Sequence, residues 1–289
     1  MNFEKIAPNT KFLIIGLGLM GGSYARALKR EGFYVEAVDK NIDAIEYALD
    51  KDIIDVGSTI TTEEAVRRAD IIVFALYPHV FLEWIEKYRD FIRKDTIITD
   101  VTGVKTVIVD KVQAFLGNRA EFISAHPMAG REVGGVHNSN AEMFKGANYI
   151  VVPTENNSDH AIEVACELGE ILGFRKVSVL SPKEHDRMIA FLSQLTHAIA
   201  VALMCTNDDE KLCDYTGDSF RDLTRIANIN DEMWSELFIL NKEALLSETD
   251  AFIEQMTTMR EMIATGDREG MREMMRTSAK RRKKFNKPV

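Results

Sequence analysis

Cysteine is scarce in this chain: three among 289 residues, Cys166, Cys205 and Cys213. The count is odd and the wide spacings match no zinc-site pattern. The expectation is buried structural thiols in a reducing cytoplasm, with no metal site. Positive charge is also in deficit, 36 Lys and Arg against 45 Asp and Glu, for a net charge of -9. A phosphate-binding surface usually needs a basic excess, so nucleic acid is not expected as the main partner. The one basic run, "KRRKKFNK" near the C-terminus, reads as a solvated helix end with favourable dipole placement. No apolar run approaches the roughly 20 residues a bilayer span needs, and the N-terminus lacks a basic region followed by an apolar core. A membrane segment and a signal peptide are therefore not expected. The charge balance is compatible with small-molecule chemistry and points to nothing more specific.

What is present is ordinary for a globular protein: 46% hydrophobic and 28% charged residues, on a length sufficient for two domains. The first half alternates short apolar runs with helix-permissive stretches. "KFLIIG", "YVEAVD", "DIIVFAL", "TIITDV" and "EFISAHP" (residues 121–127) read as successive strands. "ANYIVVP" and "RKVSVLS" read as two more, separated by a helix. Strands alternating with helices of this length imply a mostly parallel, doubly wound α/β sheet. After Ser181 the pattern changes. "SPKE" supplies a capping serine, a proline for the first helical position and a glutamate three residues on. From there no convincing strand follows. The expected organisation is a nucleotide-binding domain over residues 1–181 and an all-α domain over 182–289. A long helix is expected from Asp231 through Trp234, Phe238, Leu245, Phe252, Met256, Met259 and Ile263. Its apolar positions spread around the helix, which suggests burial on more than one side and association of two copies. The methionines read as core filling.

"GLGLMGG" directly follows the first strand. Gly16, Gly18 and Gly21 have the spacing of a dinucleotide-binding turn. The first allows the tight turn, the second lets backbone approach a pyrophosphate, and the third lets helix and strand pack closely. Leu19 and Met20 belong to the same turn, and the helix they open would aim its N-terminal amides at the phosphates. Asp39, at the end of the second strand, can accept hydrogen bonds from both ribose hydroxyls and would repel a 2'-phosphate. NAD is therefore expected over NADP. Leu76, after the "DIIVFAL" strand, and Thr102 in "TDVTGVK" are further candidates for the cofactor side.

In "SAHPMAGRE", His126 leaves the strand on the carboxyl-end side, where open parallel sheets bind ligands. A neutral imidazole there can take a proton from a substrate hydroxyl. In the helix after Ser181, Asp186, Ala190, Ser193, His197 and Ala200 fall on one narrow face, opposite Leu195 and Ile199. Such a strip suits either a close ligand or a contact between helices. In "DSFRDLTRIAN", Arg225 can clamp a carboxylate with two hydrogen bonds or form a surface ion pair with Asp222 or Glu232.

Taken in order, "GLGLMGGS", "TDVTGVK", "HPMAGRE", "HDRMIAFLSQLTH" and "FRDLTRIAN" followed by Trp234 resemble the prephenate/arogenate dehydrogenase family of tyrosine biosynthesis. The resemblance runs from Lys11 to about Phe285. It implies an NAD-linked oxidative decarboxylase with a Rossmann domain and a dimerising helical domain. It gives His126 the role of bonding the ring hydroxyl and assisting hydride transfer. Ser193 would lie close to His126 and the substrate, and His197 would help hold the pocket. Arg225 would bind the side-chain carboxylate, while Glu132 and Asp222 would shape the pocket entrance. Three departures stand out. The family's Ser-His-Leu-Pro-His run reads "SQLTH", a serine often found in "GSVK" is Gly103, and Asp218 replaces a usual glycine. Asp218 is thereby a candidate for discriminating the ammonium of arogenate from the keto group of prephenate, or a residue with a purely local role. Prephenate is the expected substrate and arogenate the alternative. "GLGLMG" also suits a beta-hydroxyacid dehydrogenase, but the helix that would carry its catalytic lysine offers Ser193 and His197, with Lys183 only at its start. A non-catalytic dinucleotide sensor would bind NAD without turnover.

Overall fold

The computed structural model describes residues 5–130 and 133–285. Its first strand, β1 (Lys11–Ile15), is apolar at successive positions because both faces are covered. Phe12 and Ile14 enter one buried cluster, Leu13 and Ile15 the other. That is the pattern of a parallel strand between two helical layers. The chain continues through α1 (Leu19–Arg30), β2 (Tyr34–Val38), α2 (Ile42–Asp50), β3 (Val56–Ser58), α3 (Glu63–Arg68), β4 (Ile71–Phe74) and α4 (Pro78–Tyr88). It then passes β5 (Ile97–Asp100), α5 (Thr106–Leu116) and β6 (Glu121–Phe122). These strands form one parallel sheet in the order β3-β2-β1-β4-β5-β6. The order reverses direction between β1 and β4, and the crevice at such a switch point is where doubly wound sheets bind dinucleotides. Side-chain caps start several helices: Asn41 accepts from Asp43 N and Thr62 from Ala65 N.

The structure corrects the expected strand over residues 121–127. It breaks at Ile123, and β7 (Ser124–Pro127) joins a second, three-stranded sheet. There β7 runs antiparallel to β8 (Asn148–Val152), with His126 opposite Ile150. β8 pairs in parallel with β9 (Lys176–Val179) across α6 (Asp159–Ile171). The cause is visible at Asp100. Its Oδ1 accepts from Ser124 Oγ at 2.5 Å and from Ala125 N at 3.2 Å, so a side chain holds β7 where a ladder partner would be. The short β3, "VGS", was not anticipated; three residues carry too little pattern to read.

Ser181 does cap α7 (Pro182–Ile189), in a reciprocal capping box with Glu184. The helix passes through a π turn at Ala190–Gln194 into α8 (Leu195–Met204). At 23 residues, Pro182–Met204 is long and apolar enough to cross a membrane by length and composition, contrary to the sequence expectation. Its buried His185, Asp186 and Gln194 are all hydrogen-bonded within the fold. α9 (Asp218–Thr224) and α10 (Asp231–Leu240) follow. The expected long helix breaks at Asn241, which is buried. Its Nδ2 donates to Asp186 O at 2.9 Å and to Gln194 Oε1 at 2.7 Å. Gln194 Nε2 in turn donates to Leu237 O at 3.0 Å, which gives the unusual glutamine of "SQLTH" its task of anchoring α10.

The chain divides into two compact units between Asn241 and Lys242. The second unit is a helical pair, α11 (Lys242–Thr265) and α12 (Arg268–Arg282), joined at Gly266 with φ +69°. Ile253, Met256, Ile263 and Met275 are exposed on it. The thiols also depart from expectation: Cys166 is partly buried, but Cys205 and Cys213 are exposed.

Candidate active site

The glycine turn sits at the switch point. Gly16 has φ +98°, and a Cβ there would lie 2.5 Å from Ala75 O and 2.9 Å from Leu76 Cδ2. A Cβ on Gly21 would lie 1.9 Å from Gly16 O. Both positions need glycine for the fold itself. Gly18 differs: a Cβ there would meet nothing within 4 Å. Its bareness keeps open the space beside the N-terminus of α1, as close approach of a pyrophosphate requires. Leu19 and Met20 form the first turn of α1, both partly buried. Asp39 lies beside the turn, its Oδ2 accepting from Leu17 N at 2.6 Å and its Oδ1 from Asn41 N at 2.8 Å. Each carboxylate oxygen keeps a second lone pair for a ribose hydroxyl. These residues fit a dinucleotide.

Behind the turn lies a buried polar network. Lys105, fully buried, donates from Nζ to Asp100 Oδ2 at 2.9 Å and to Ala125 O at 2.7 Å. Thr102 lies inside this network. Its hydroxyl bonds Asp100 and lies 3.0 Å from Val104 O, so the side chain helps hold the loop. Burial lowers the Lys105 pKa against the opposing pull of Asp100.

His126 is half-buried on β7. Its Nδ1 lies 2.8 Å from His185 Nε2, and His185 Nδ1 lies 2.8 Å from Asp186 Oδ1. The Asp186 carboxylate also takes the backbone N–H of Lys105 and of Thr106, both at 2.8 Å, capping α5. Burial pushes the His126 imidazole well below its ordinary value, and nearby His185 and Lys105 push the same way. His185 is lowered too, by burial, despite its bond to Asp186. For Asp186 burial raises the pKa, but the bonds from His185 and Thr106 outweigh it and the net shift is downward. Both rings are therefore neutral near pH 7. His185 was given no role from the sequence. The available signal was its position beside Asp186 in "EHD", the first turns of a capped helix.

The narrow face of α7 and α8 divides in the structure. Asp186, Ala190 and Ala200 are buried, whereas Ser193 and His197 are partly open. His197 Nδ1 lies 2.8 Å from Ser193 O, and its ring stacks on Trp234 at 3.8 Å between centroids. The short turn Arg225–Ala227 packs against α8, and Arg225 is exposed. Asp222 is exposed on α9. Asp218, in the first turn of α9, pairs with Arg221 at 2.8 Å and its side chain is 91% exposed. Glu132 lies outside the described residues.

Comparisons with known proteins place the chain in a family. Residues 24–178 match the prephenate dehydrogenase nucleotide-binding domain model, and residues 181–277 match the prephenate dehydrogenase dimerization domain model. A cyclohexadienyl dehydrogenase of Zymomonas mobilis is 30% identical over 93% of this chain and 94% of its own length. A prephenate dehydrogenase of Bacillus subtilis is 28% identical over 92% of this chain and 73% of its own. Among solved structures, the prephenate dehydrogenase of Aquifex aeolicus in complex with hydroxyphenyl propionate and NAD+ superposes with a TM-score of 0.87 at 30% identity. That match covers 96% of this chain and 98% of the other. With a Rossmann-type domain, a helical domain and both family models matched, the chain belongs to the prephenate dehydrogenase family of oxidoreductases of tyrosine biosynthesis.

Proposed function

We propose that this dehydrogenase carries out the NAD-dependent oxidative decarboxylation of prephenate to 4-hydroxyphenylpyruvate. The observation that carries the proposal is the neutral, half-buried His126 on β7, held at Nδ1 by His185. His126 accepts the proton of the ring hydroxyl while the carbon bearing that hydroxyl loses hydride. A bound nicotinamide would supply the hydride acceptor. The carboxylate on the opposite ring carbon leaves as carbon dioxide, and its bonding electron pair completes the aromatic ring. No residue need hold that leaving carboxylate tightly, because ground-state binding alone does not speed the step. Arg225 clamps the side-chain carboxylate. Ser193 and His197, the latter fixed on Trp234, line the substrate side, and Glu132 and Asp222 shape the entrance.

For the cofactor, Gly16, Gly18, Leu19, Met20, Gly21, Asp39 and Leu76 hold the adenosine and pyrophosphate half. Asp39 supports NAD over NADP by repelling a 2'-phosphate, and the Aquifex relative was solved with NAD+. The proposed organisation keeps a nucleotide-binding part over residues 1–181 and a substrate-binding, dimerising part over 182–289. The exposed Ile253, Met256, Ile263 and Met275 of α11 and α12 support a homodimer in which a second copy covers them. A cytoplasmic location is part of the same proposal.

Arogenate is the second reading, favoured by the name of the Zymomonas relative, a cyclohexadienyl dehydrogenase. Asp218 supports it only weakly, since its charge is already met by Arg221. The test is parallel turnover of prephenate and arogenate with NAD and NADP. Prephenate with NAD should give the highest kcat/KM. A preference for arogenate that Asp218→Asn abolishes would overturn the substrate choice. NAD binding with no turnover of either compound would make the protein a sensor.

A further inference from the structure

We propose that His185 and Asp186 are positioning residues that fix the tautomer of His126, so that its Nε2 always presents the lone pair that takes the substrate proton. The inference rests on His126 as the proton acceptor of the proposed reaction. The chain of bonds has one consistent direction. Asp186 already accepts two backbone N–H groups, one on each carboxylate oxygen, so it faces His185 as an acceptor. His185 Nδ1 must therefore be the donor at 2.8 Å. A neutral imidazole has one donor and one acceptor nitrogen, which leaves His185 Nε2 as the acceptor. The partner at 2.8 Å is His126 Nδ1, which must donate. His126 then carries its only proton on Nδ1, and Nε2 is bare.

The arrangement serves the reaction twice. It removes the unproductive tautomer, in which Nε2–H would face the substrate hydroxyl with a donor. It also keeps the imidazolium that forms hydrogen-bonded. When the hydroxyl proton moves to Nε2, the O–H electron pair stays on oxygen to build the carbonyl, and the Nδ1 proton stays in the bond to His185. That bond then runs from a cation to a neutral ring whose far side meets the Asp186 carboxylate, and charge-assisted bonds are the stronger kind. The opposing charge is Lys105, and it is itself neutralised by Asp100. The groups that face the pair are thus Asp186, Lys105 and Asp100, from α7, the start of α5 and β5.

The test uses the full-length protein with nitrogen-15 labelled histidine, with His126 assigned by comparison with His126→Asn. At pH 7.5, without substrate or cofactor, imidazole nitrogen shifts should report His126 protonated at Nδ1. His185→Phe removes the acceptor, so His126 should lose that single tautomer. kcat should fall at least about tenfold, within the ~10²–10⁴-fold worth of a general base, while KM stays near the parent value. His185→Gln keeps an acceptor oxygen for His126 Nδ1–H and should recover the Nδ1 tautomer and most of the rate. His126 protonated at Nε2 in the parent would overturn the inference, as would a His185→Phe protein with unchanged tautomer and kcat. The tautomer readout needs no substrate. A parent with the Nδ1 tautomer but no turnover of prephenate or arogenate would leave the relay standing and sink the proposed reaction alone.

Discussion

Asp100 and Lys105 form an ion pair 2.9 Å long with both side chains fully buried. It ties the last residue of β5 to the residue before α5, and through Ser124 and Ala125 it holds β7 in place. Breaking such a pair from one side strands a charge. Lys105→Met is expected to cost about 3–5 kcal/mol, at the upper end for single substitutions. Asp100→Asn should cost at least as much, because it leaves Lys105 unpaired and turns an amide NH2 against either Thr102 N or Ala125 N. Urea unfolding midpoints of the two variants check this; small losses would refute it.

Gly21 and Gly18 separate folding from binding. Gly21→Ala places a methyl 1.9 Å from Gly16 O, so the protein should express poorly or melt far below the parent. Gly18→Ala meets no protein atom and its φ of -78° suits alanine. Its melting temperature should match the parent while NAD affinity falls by an order of magnitude or so, the new methyl standing where the pyrophosphate must approach. Calorimetry with an NAD titration measures both. A Gly18→Ala protein that binds NAD normally would mean the pyrophosphate lies elsewhere.

Asp39→Asn should weaken NAD use and narrow the gap to NADP, since the neutral amide no longer repels a 2'-phosphate. That amide keeps an oxygen for Leu17 N but sets its NH2 against Asn41 N, so a modest loss of stability should accompany the change. Comparing kcat/KM for both cofactors decides; a parent that already prefers NADP would reverse the role given to Asp39.

His126→Asn should lower kcat by about a hundredfold or more with little change in KM. Arg225→Ala should chiefly raise KM, because a carboxylate clamp acts in ground and transition states alike. Steady-state kinetics of the two variants would expose an exchange of roles as the opposite pattern.

The pH behaviour follows from the lowered imidazoles. The neutral base stays competent below pH 6.5, so the acid limb of kcat/KM should lie below that value. Stability carries the same sign. Unfolded His126 and His185 take up protons near pH 6.5, while the folded rings resist until lower pH. Their contribution is complete above pH 6.5 and is lost as pH falls towards the folded values. Urea midpoints measured from pH 5 to 8 should drop on the acid side, and His126→Asn should flatten the slope. An acid limb at or above 6.5 would contradict the buried, cation-facing position of the ring.

The sequence by itself determined what local pattern can carry. The two-sided apolar runs of β1 and β4 could only be parallel strands between helices. Ser181, Pro182 and Glu184 marked the start of α7 through contacts three residues apart. Gly16, Gly18, Gly21 and Asp39 stood out because spacing after a strand is itself the signal, and His126, Ser193, His197 and Arg225 were found through motif order. What only the tertiary structure decided involves partners distant in the chain. The 121–127 run switches sheets because Asp100, more than twenty residues away, takes the backbone of Ala125. The helix breaks at Asn241 because its amide reaches Asp186 and Gln194. Thr102 turns inward because Lys105 and Asp100 need a satisfied hydroxyl between them. His185 acquires its place from a ring 59 residues earlier in the chain. Periodicity records which face of an element is apolar, but a buried polar group is placed by the one partner that satisfies it. That partner is chosen by the fold.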